Sequence, residues 1–410
     1  MSVRLLATCF GLLLSVMPHS AGAARPATVL LVTSDELADA WDDFADWKTA
    51  QGKSTKIVTI AELTKDIAGD DIQQKIRAGV LRNIDEDGTR WVILGGDSLP
   101  GGKGHVPDRD TRHRGFGYAD IPTDLYYVFC KDFGAKDHAI YGDSNDYRES
   151  FEYTHPRAVI GRIPVRTPAD VAAYAQKVIE YESSYPENEF AQQMVYTCPE
   201  PMAYPKLGTS KSEIGKAWQQ GKLSQFFAHR TPWDGDDAGD YDLSPDHWVK
   251  MFNDKKAGKL HMHGHGLLPV WVLEGHKTVD QSHVKKLENG KAYPVMTTVS
   301  CFTGQYDARQ DPSITESILR QPGGGAIAVI APSREGVPVF ADRSDFRKMI
   351  TEGKMDGTTR LLTTFWTEGL KNNLTVGEAV SAARGKMAPE AQAHAGYHWC
   401  LCELNLLGDP

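Results

Sequence analysis

The stretch KLHMHGHGLLPVW, Lys259 to Trp271, sets His261, His263 and His265 two residues apart before the chain breaks into glycines. Imidazoles that alternate along a strand share one face and can ligate zinc, whereas a single imidazole beside a nucleophile is a general acid or base. Cys301 stands just past a second apolar run, YPVMTTVS. A thiol attacks carbonyl carbon once deprotonated, and an imidazole within reach can lower its pKa or protonate the leaving amine. Cys301 and His265 together are therefore candidates for a nucleophile and its acid–base partner. The glycines flanking His265 let backbone N–H groups approach a developing oxyanion, worth about 3–4 kcal/mol per donor; the amides of Gly266 and Cys301 are the candidates. Gly264 and Gly266 also end the strand, and neither an HExxH nor a paired-Cys motif completes a zinc shell. His261 and His263 thus read as structural, with a metal-dependent hydrolase built on the 261–265 cluster as the alternative.

These residues need neighbouring strands to position them. ATVLLVTS, DELADAWDDFADWKTAQG and STKIVTI read as strand, amphipathic helix and strand, with Leu37, Trp41, Phe44 and Trp47 at helical spacing and Gly52 as the stop. A helix through Ile72, Ile76 and Val80 and the buried-type strand RWVILGGD follow, which favours a parallel sheet. The segment 100–157 reads as a loop-bearing excursion; RAVIGRIPV returns as a strand, and Thr167-Pro168 with Asp170 caps the next helix. Polar turn residues in SSYPENEFAQQ suggest a boundary, giving an N-terminal α/β subdomain over 24–188 and a catalytic subdomain over 189–410. Beyond it, strands KLHMH, YPVMTTVS and GGAIAVIAP alternate with helices, and two or three helices close the chain. Functional loops of such sheets gather at the C-terminal strand ends, where His265 and Cys301 fall.

Bulk properties narrow the class. A net charge of -9 over 410 residues, with no Lys/Arg cluster, argues against nucleic-acid binding. Residues 1–23 carry Arg4, an apolar run from Leu5 to Met17 and the small residues Ala21-Gly22-Ala23, the pattern of a secretory signal peptide. That run is too short to span a bilayer and no later segment is long enough, so an exported protein without a transmembrane segment is expected. Removal of the signal takes Cys9 and leaves five cysteines, Cys130, Cys198, Cys301, Cys400 and Cys402, so at least one thiol has no partner within the chain. Cys400 and Cys402, alternating across an expected strand, should not bond to each other. Asp234 to Asp242, DGDDAGDYD, partly copies a calcium loop but lacks its closing glutamate. GGDS at 95–98 reads as a turn after a strand.

Several of these motifs occur together and in order in one known family. GHG after one strand, SCFTG after the next, ESILRQPGGGAIAVIAPSR, AVIGRIPVRTPADV, IPTDLYY and the closing LNLLGDP resemble the gingipain-type cysteine peptidases, peptidase family C25. The resemblance spans nearly all of the chain after the signal. It implies a caspase-like, mostly parallel sheet flanked by helices, endopeptidase activity on proteins or peptides, and a catalytic pair at His265 and Cys301. It implies no cofactor for the chemistry but a structural calcium, for which Asp124, Asp234, Asp236 and Asp240 are the candidate ligands. Family members carry an acid just before the IGR strand to orient the histidine; here THPRAVIGR places His155 and Arg157 there, leaving Glu152 as the nearest carboxylate. This departure leaves open a Cys–His dyad, and also a degenerate member that binds peptides without cleaving them or one confined to a single self-cleavage.

Overall fold

A computed structural model of the chain describes residues 28–100, 103–111, 120–129, 156–184, 194–197, 244–254, 258–273, 276–308, 312–337 and 357–410. Its strands in chain order are β1 (Val29–Thr33), β2 (Thr55–Thr59), β3 (Trp91–Gly95), β4 (Arg109–Thr111), β5 (Ile121–Thr123), β6 (Val159–Ile163), β7 (Met194–Thr197), β8 (Lys259–Met262), β9 (Gly266–Leu267), β10 (Val270–Val272), β11 (Thr278–Val279), β12 (Val295–Thr298), β13 (Ala328–Pro332) and β14 (Leu404–Gly408). The helices are α1 (Asp42–Ala50), α2 (Ile60–Thr64), α3 (Ile72–Asp87), α4 (Pro168–Ser184), α5 (Pro245–Asn253), α6 (Gln281–Val284), α7 (Ile314–Arg320), α8 (Gly357–Asn372), α9 (Val376–Ala393) and α10 (Ala395–Glu403).

Nine strands form one sheet in the order β2-β1-β3-β6-β14-β13-β12-β8-β7. β1 pairs in parallel with β2 and β3, β3 with β6, and β8 with both β7 and β12, which in turn pairs in parallel with β13; β14 runs antiparallel to β13. Both faces are covered, which is why β1 and β13 are apolar throughout rather than alternating. Leu31 and Ile93 face Trp41, Phe44 and α4 residues such as Val171 in the larger core, while Leu30, Val32 and Val92 pack with Ile76, Val80 and Leu125 in the second. Helix starts are fixed locally. Asp71 caps α3, and capping boxes at Ser313/Glu316 and Thr375/Glu378 start α7 and α9.

The alternation of strands and helices expected from the sequence is present, with three differences. Cys400 and Cys402 lie in α10 rather than on a strand, both buried and both free thiols. The loop after β8 contains the small antiparallel sheet β9-β10-β11. The helix expected around 280–289 is one turn, α6, capped by Asp280. The expected boundary near residue 188, the signal peptide, Cys130 and Cys198 lie outside the described residues.

A buried ion pair joins β6 to the segment after β5 and to the loop after β3. Arg162 on β6 is fully buried and donates to both carboxylate oxygens of Asp124, at 2.8 and 2.6 Å, and to the carbonyls of Gly96 and Val106. Burial opposes its charge, but the adjacent Asp124 carboxylate outweighs this and holds the guanidinium above its ordinary pKa. The guanidinium also lies 4.8 Å from the ring of Tyr306, on the loop that follows Cys301. Removing one member of such a pair strands the other's charge, at a cost of about 3–5 kcal/mol. Asp124→Ala should therefore lower stability by that amount in urea titration, while Asp124→Ala/Arg162→Met should recover part of it. A double variant no more stable than the single one would show that the charge pairing is not the source of the loss.

Candidate active site

The parallel ladder between β8 and β12 sets the site. Lys259 to Met262 lie opposite Val295 to Thr298, and Val299 extends the pairing by donating to the Met262 carbonyl at 3.2 Å. His265 and Cys301 each stand three residues beyond the last paired residues, Met262 and Thr298, so the two chains leave the sheet at one level. Gly266 packs directly on the Cys301 turn. A Cβ there would lie 2.4 Å from Thr303 Cγ2, 2.8 Å from Ser300 Cβ and 2.9 Å from the Cys301 carbonyl oxygen, distances that only glycine avoids.

The hairpin that follows orients the Gly266 amide. Val272 N–H donates to the His265 carbonyl at 3.0 Å, so these two form a hydrogen-bonded pair and the next pair, Gly266 with Trp271, is a non-bonded one. The Gly266 N–H consequently points out of the β9–β10 ladder. Phe302, with φ of 60°, holds the turn after the cysteine in a left-handed conformation, and its N–H donates to the Arg334 carbonyl at 2.7 Å. That amide is therefore committed to the turn.

Cys301 is a free, half-buried thiol whose sulfur lies 3.8 Å from the Gly336 carbonyl oxygen. Burial is the main cause that pushes its pKa up, to about 11. The Glu403 and Glu335 carboxyls act in the same direction, while backbone hydrogen bonds at Gly336 and Cys301 pull it partly back. The wall carrying Gly336 is held on both sides of that residue: Ser333 N–H donates to the Glu403 carbonyl, and Arg334 forms a two-pronged pair with Asp307. The Glu335 carbonyl accepts from Trp399 Nε1, and Val337 N–H donates to Thr358 Oγ1. Thr358 Oγ1 in turn donates to Glu403 Oε1 at 3.0 Å, and burial keeps that carboxyl well above its ordinary pKa. Gly336, Glu335 and Glu403 were not legible as site residues; SREG after a strand is the one local sign of the wall.

The three histidines separate by burial. His261 and His263 are buried and His265 is exposed. Desolvation drives the His261 pKa well below its usual value and that of His263 to about 4, with His265 as the second cause for His263. Both are neutral at pH 7. His261 Nδ1 is hydrogen-bonded to Thr297 Oγ1, which also accepts from Trp366 Nε1. Among the described residues no three His, Cys, Asp or Glu side chains are grouped to hold a metal ion, so the alternative of a histidine-cluster metal centre is not formed there. Asp124, a calcium candidate, has both oxygens taken by Arg162; Asp234, Asp236, Asp240 and the candidate orienting acid Glu152 lie outside the described residues. Arg157, just before β6, pairs with Asp85 at the end of α3. Ser98 of GGDS is buried against Asp108.

Comparison with known proteins gives the family and the fold. The model of peptidase family C25 matches residues 23–410. No curated protein matches the sequence. Among solved structures, the Arg-specific cysteine proteinase gingipain R (RgpB) superposes with a TM-score of 0.62 at 19% identity, over 94% of this chain and 78% of that one. The complex of the Porphyromonas gingivalis RgpB pro- and mature domains gives 0.60 at 17% identity, over 93% and 78%. The fold is thus the gingipain, caspase-like one, and the described residues contain no helix long and apolar enough to cross a membrane. With its family model running from residue 23 to the last residue, this chain belongs to peptidase family C25, the gingipain-type cysteine peptidases.

Proposed function

We propose that the protein is an exported endopeptidase that cleaves peptide bonds through a thioester on Cys301, with His265 as the proton carrier. The observation that supports this most directly is the shared level at which β8 and β12 release His265 and Cys301, with the Gly266 backbone packed on the cysteine turn. Export after removal of residues 1–23 is supported by the family match beginning at residue 23.

The chemistry follows from the thiol's state. With a pKa near 11, roughly one thiol in ten thousand is ionised at pH 7, so deprotonation accompanies attack rather than preceding it. The Cys301 sulfur adds to the scissile carbonyl while its proton passes to His265, and the Gly266 and Cys301 N–H groups receive the oxyanion. The C–N bond then breaks as His265 gives that proton to the leaving amine. Water, deprotonated by His265, attacks the thioester carbonyl; the C–S bond breaks and the proton returns to sulfur. His263, neutral and buried behind His265, does not compete for protons at neutral pH.

Alkylation of Cys301 in the free protein by iodoacetamide, followed by peptide mass spectrometry, should accelerate about tenfold per pH unit from pH 7 toward pH 11. A plateau below pH 8 would show a preformed thiolate–imidazolium pair instead. On peptides with varied P1 residues, Cys301→Ala and His265→Ala should each reduce kcat/KM by at least ~10³, His263→Gln should retain most turnover, and EDTA should leave the chemical step intact. Cleavage surviving Cys301→Ala would end the peptidase assignment, and a peptide-binding protein would bind such peptides without turnover. Glu152→Gln distinguishes a dyad, with unchanged rates, from an oriented triad, with rates lowered at least about tenfold.

A further inference from the structure

We propose that Leu267 forms an apolar subsite on the leaving-group side of the scissile bond, selecting substrates with a large apolar residue at the first or second position after the cleaved bond (P1′ or P2′); this rests on the peptidase reading above. Leu267 is 60% exposed, more than any other large apolar side chain among the described residues. It does not stand alone, because Leu267, Leu268, Pro269 and Val270 form a continuous apolar hairpin tip whose last three residues are only half-buried. Leu267 is thus the exposed point of a largely apolar tip, where a substrate side chain can remove it from water.

Its position says what covers it. Along His265-Gly266-Leu267 the exposure alternates exposed, buried, exposed, with Gly266 turned down onto Ser300 and Thr303. Strand alternation therefore puts the His265 and Leu267 side chains on the same outward side, about 7 Å apart along the chain. His265 hands its proton to the leaving amine, so the chain that continues past His265 in that direction is the part of the substrate carrying the new amino terminus. A peptide lying extended beside β9 advances at the same rise per residue, which brings its first or second residue after the bond over Leu267. The subsite is rigid. The Leu268 carbonyl accepts from Ile314 N–H at 2.9 Å, Val272 N–H holds the His265 carbonyl, and Trp271 anchors the hairpin in the core, 5.8 Å from Trp248.

The test uses internally quenched peptides with one fixed sequence before the bond and Leu, Phe, Ser, Asp or Lys at P1′ and P2′. The wild-type protein should cleave the Leu and Phe peptides about 5–20-fold more efficiently, in kcat/KM, than the Ser peptides, the discrimination expected of one apolar contact. Leu267→Ser should collapse that spread to within about twofold, and Leu267→Lys should shift preference toward Asp. Thermal unfolding of each variant identifies misfolding, in which case Leu267→Gln replaces it and carries the same expectation as Leu267→Ser. Turnover by the wild type with a flat P1′ and P2′ profile, or an apolar preference that persists in folded Leu267→Ser or Leu267→Gln, would overturn the subsite while leaving the peptidase reading intact. A wild-type protein inert toward every peptide would overturn both.

Discussion

The structure depends on the parallel register of β8 with β12. Parallel neighbours cannot be joined by a tight turn, so the chain must cross over the sheet before the second strand begins. That crossover, through the β9–β10–β11 sheet and α6, leaves the C-terminal ends of both strands side by side. A one-residue slip would turn every side chain on one strand to the other face, and the buried ladder from Lys259 to Met262 against Val295 to Thr298 forbids it. His265 and Cys301 inherit their relation from that ladder. Gly266 then lets the two backbones touch.

Burial gives the thiol two properties that pull in opposite directions. Its partial burial raises the pKa and favours the neutral S–H, which lies 3.8 Å from the Gly336 carbonyl oxygen. The same dry surroundings strengthen any interaction made with charge that develops during attack. The wall from Ser333 to Val337 supports that environment, because the Ser333 N–H, the Glu335 carbonyl and the Val337 N–H are tied to α8 and α10 while the Arg334 carbonyl holds the Phe302 N–H of the cysteine loop. Arg162 and Asp124 extend the same rigidity toward β6, reaching Tyr306 on the loop beyond Cys301.

Much of this was legible in the sequence wherever apolar residues repeat with a clear period. The strands around Leu31, Ile93 and Ile330 are nearly continuous apolar runs, and α1 and α3 carry their stripes at helical spacing. Where burial surrounds an element on all sides the period disappears. α10, AGYHWCLCE, buries polar His398 and Glu403 together with its apolar residues, so it lacks the one-sided stripe that marks a helix and its alternating cysteines suggest a strand instead. β14 is masked by Asn405, a polar residue in a buried strand whose side-chain amide donates to the Pro122 carbonyl. The histidines were separable in sequence because Gly264 and Gly266 end the strand, but the thiol's nearest partners, Gly336 and Glu403, arrive from 35 and 102 residues downstream through packing alone.

The claim on which the rest stands is that Cys301 carries the acyl group and His265 moves the proton. Rapid acid quenching of a single turnover, with intact-mass and peptide mass spectrometry, tests it most directly. The account predicts a transient mass gain equal to the acyl half of the substrate, located on Cys301, sensitive to hydroxylamine, and slow to form in His265→Ala. Product release with no covalent adduct at any time, or an adduct on a different residue, would contradict it.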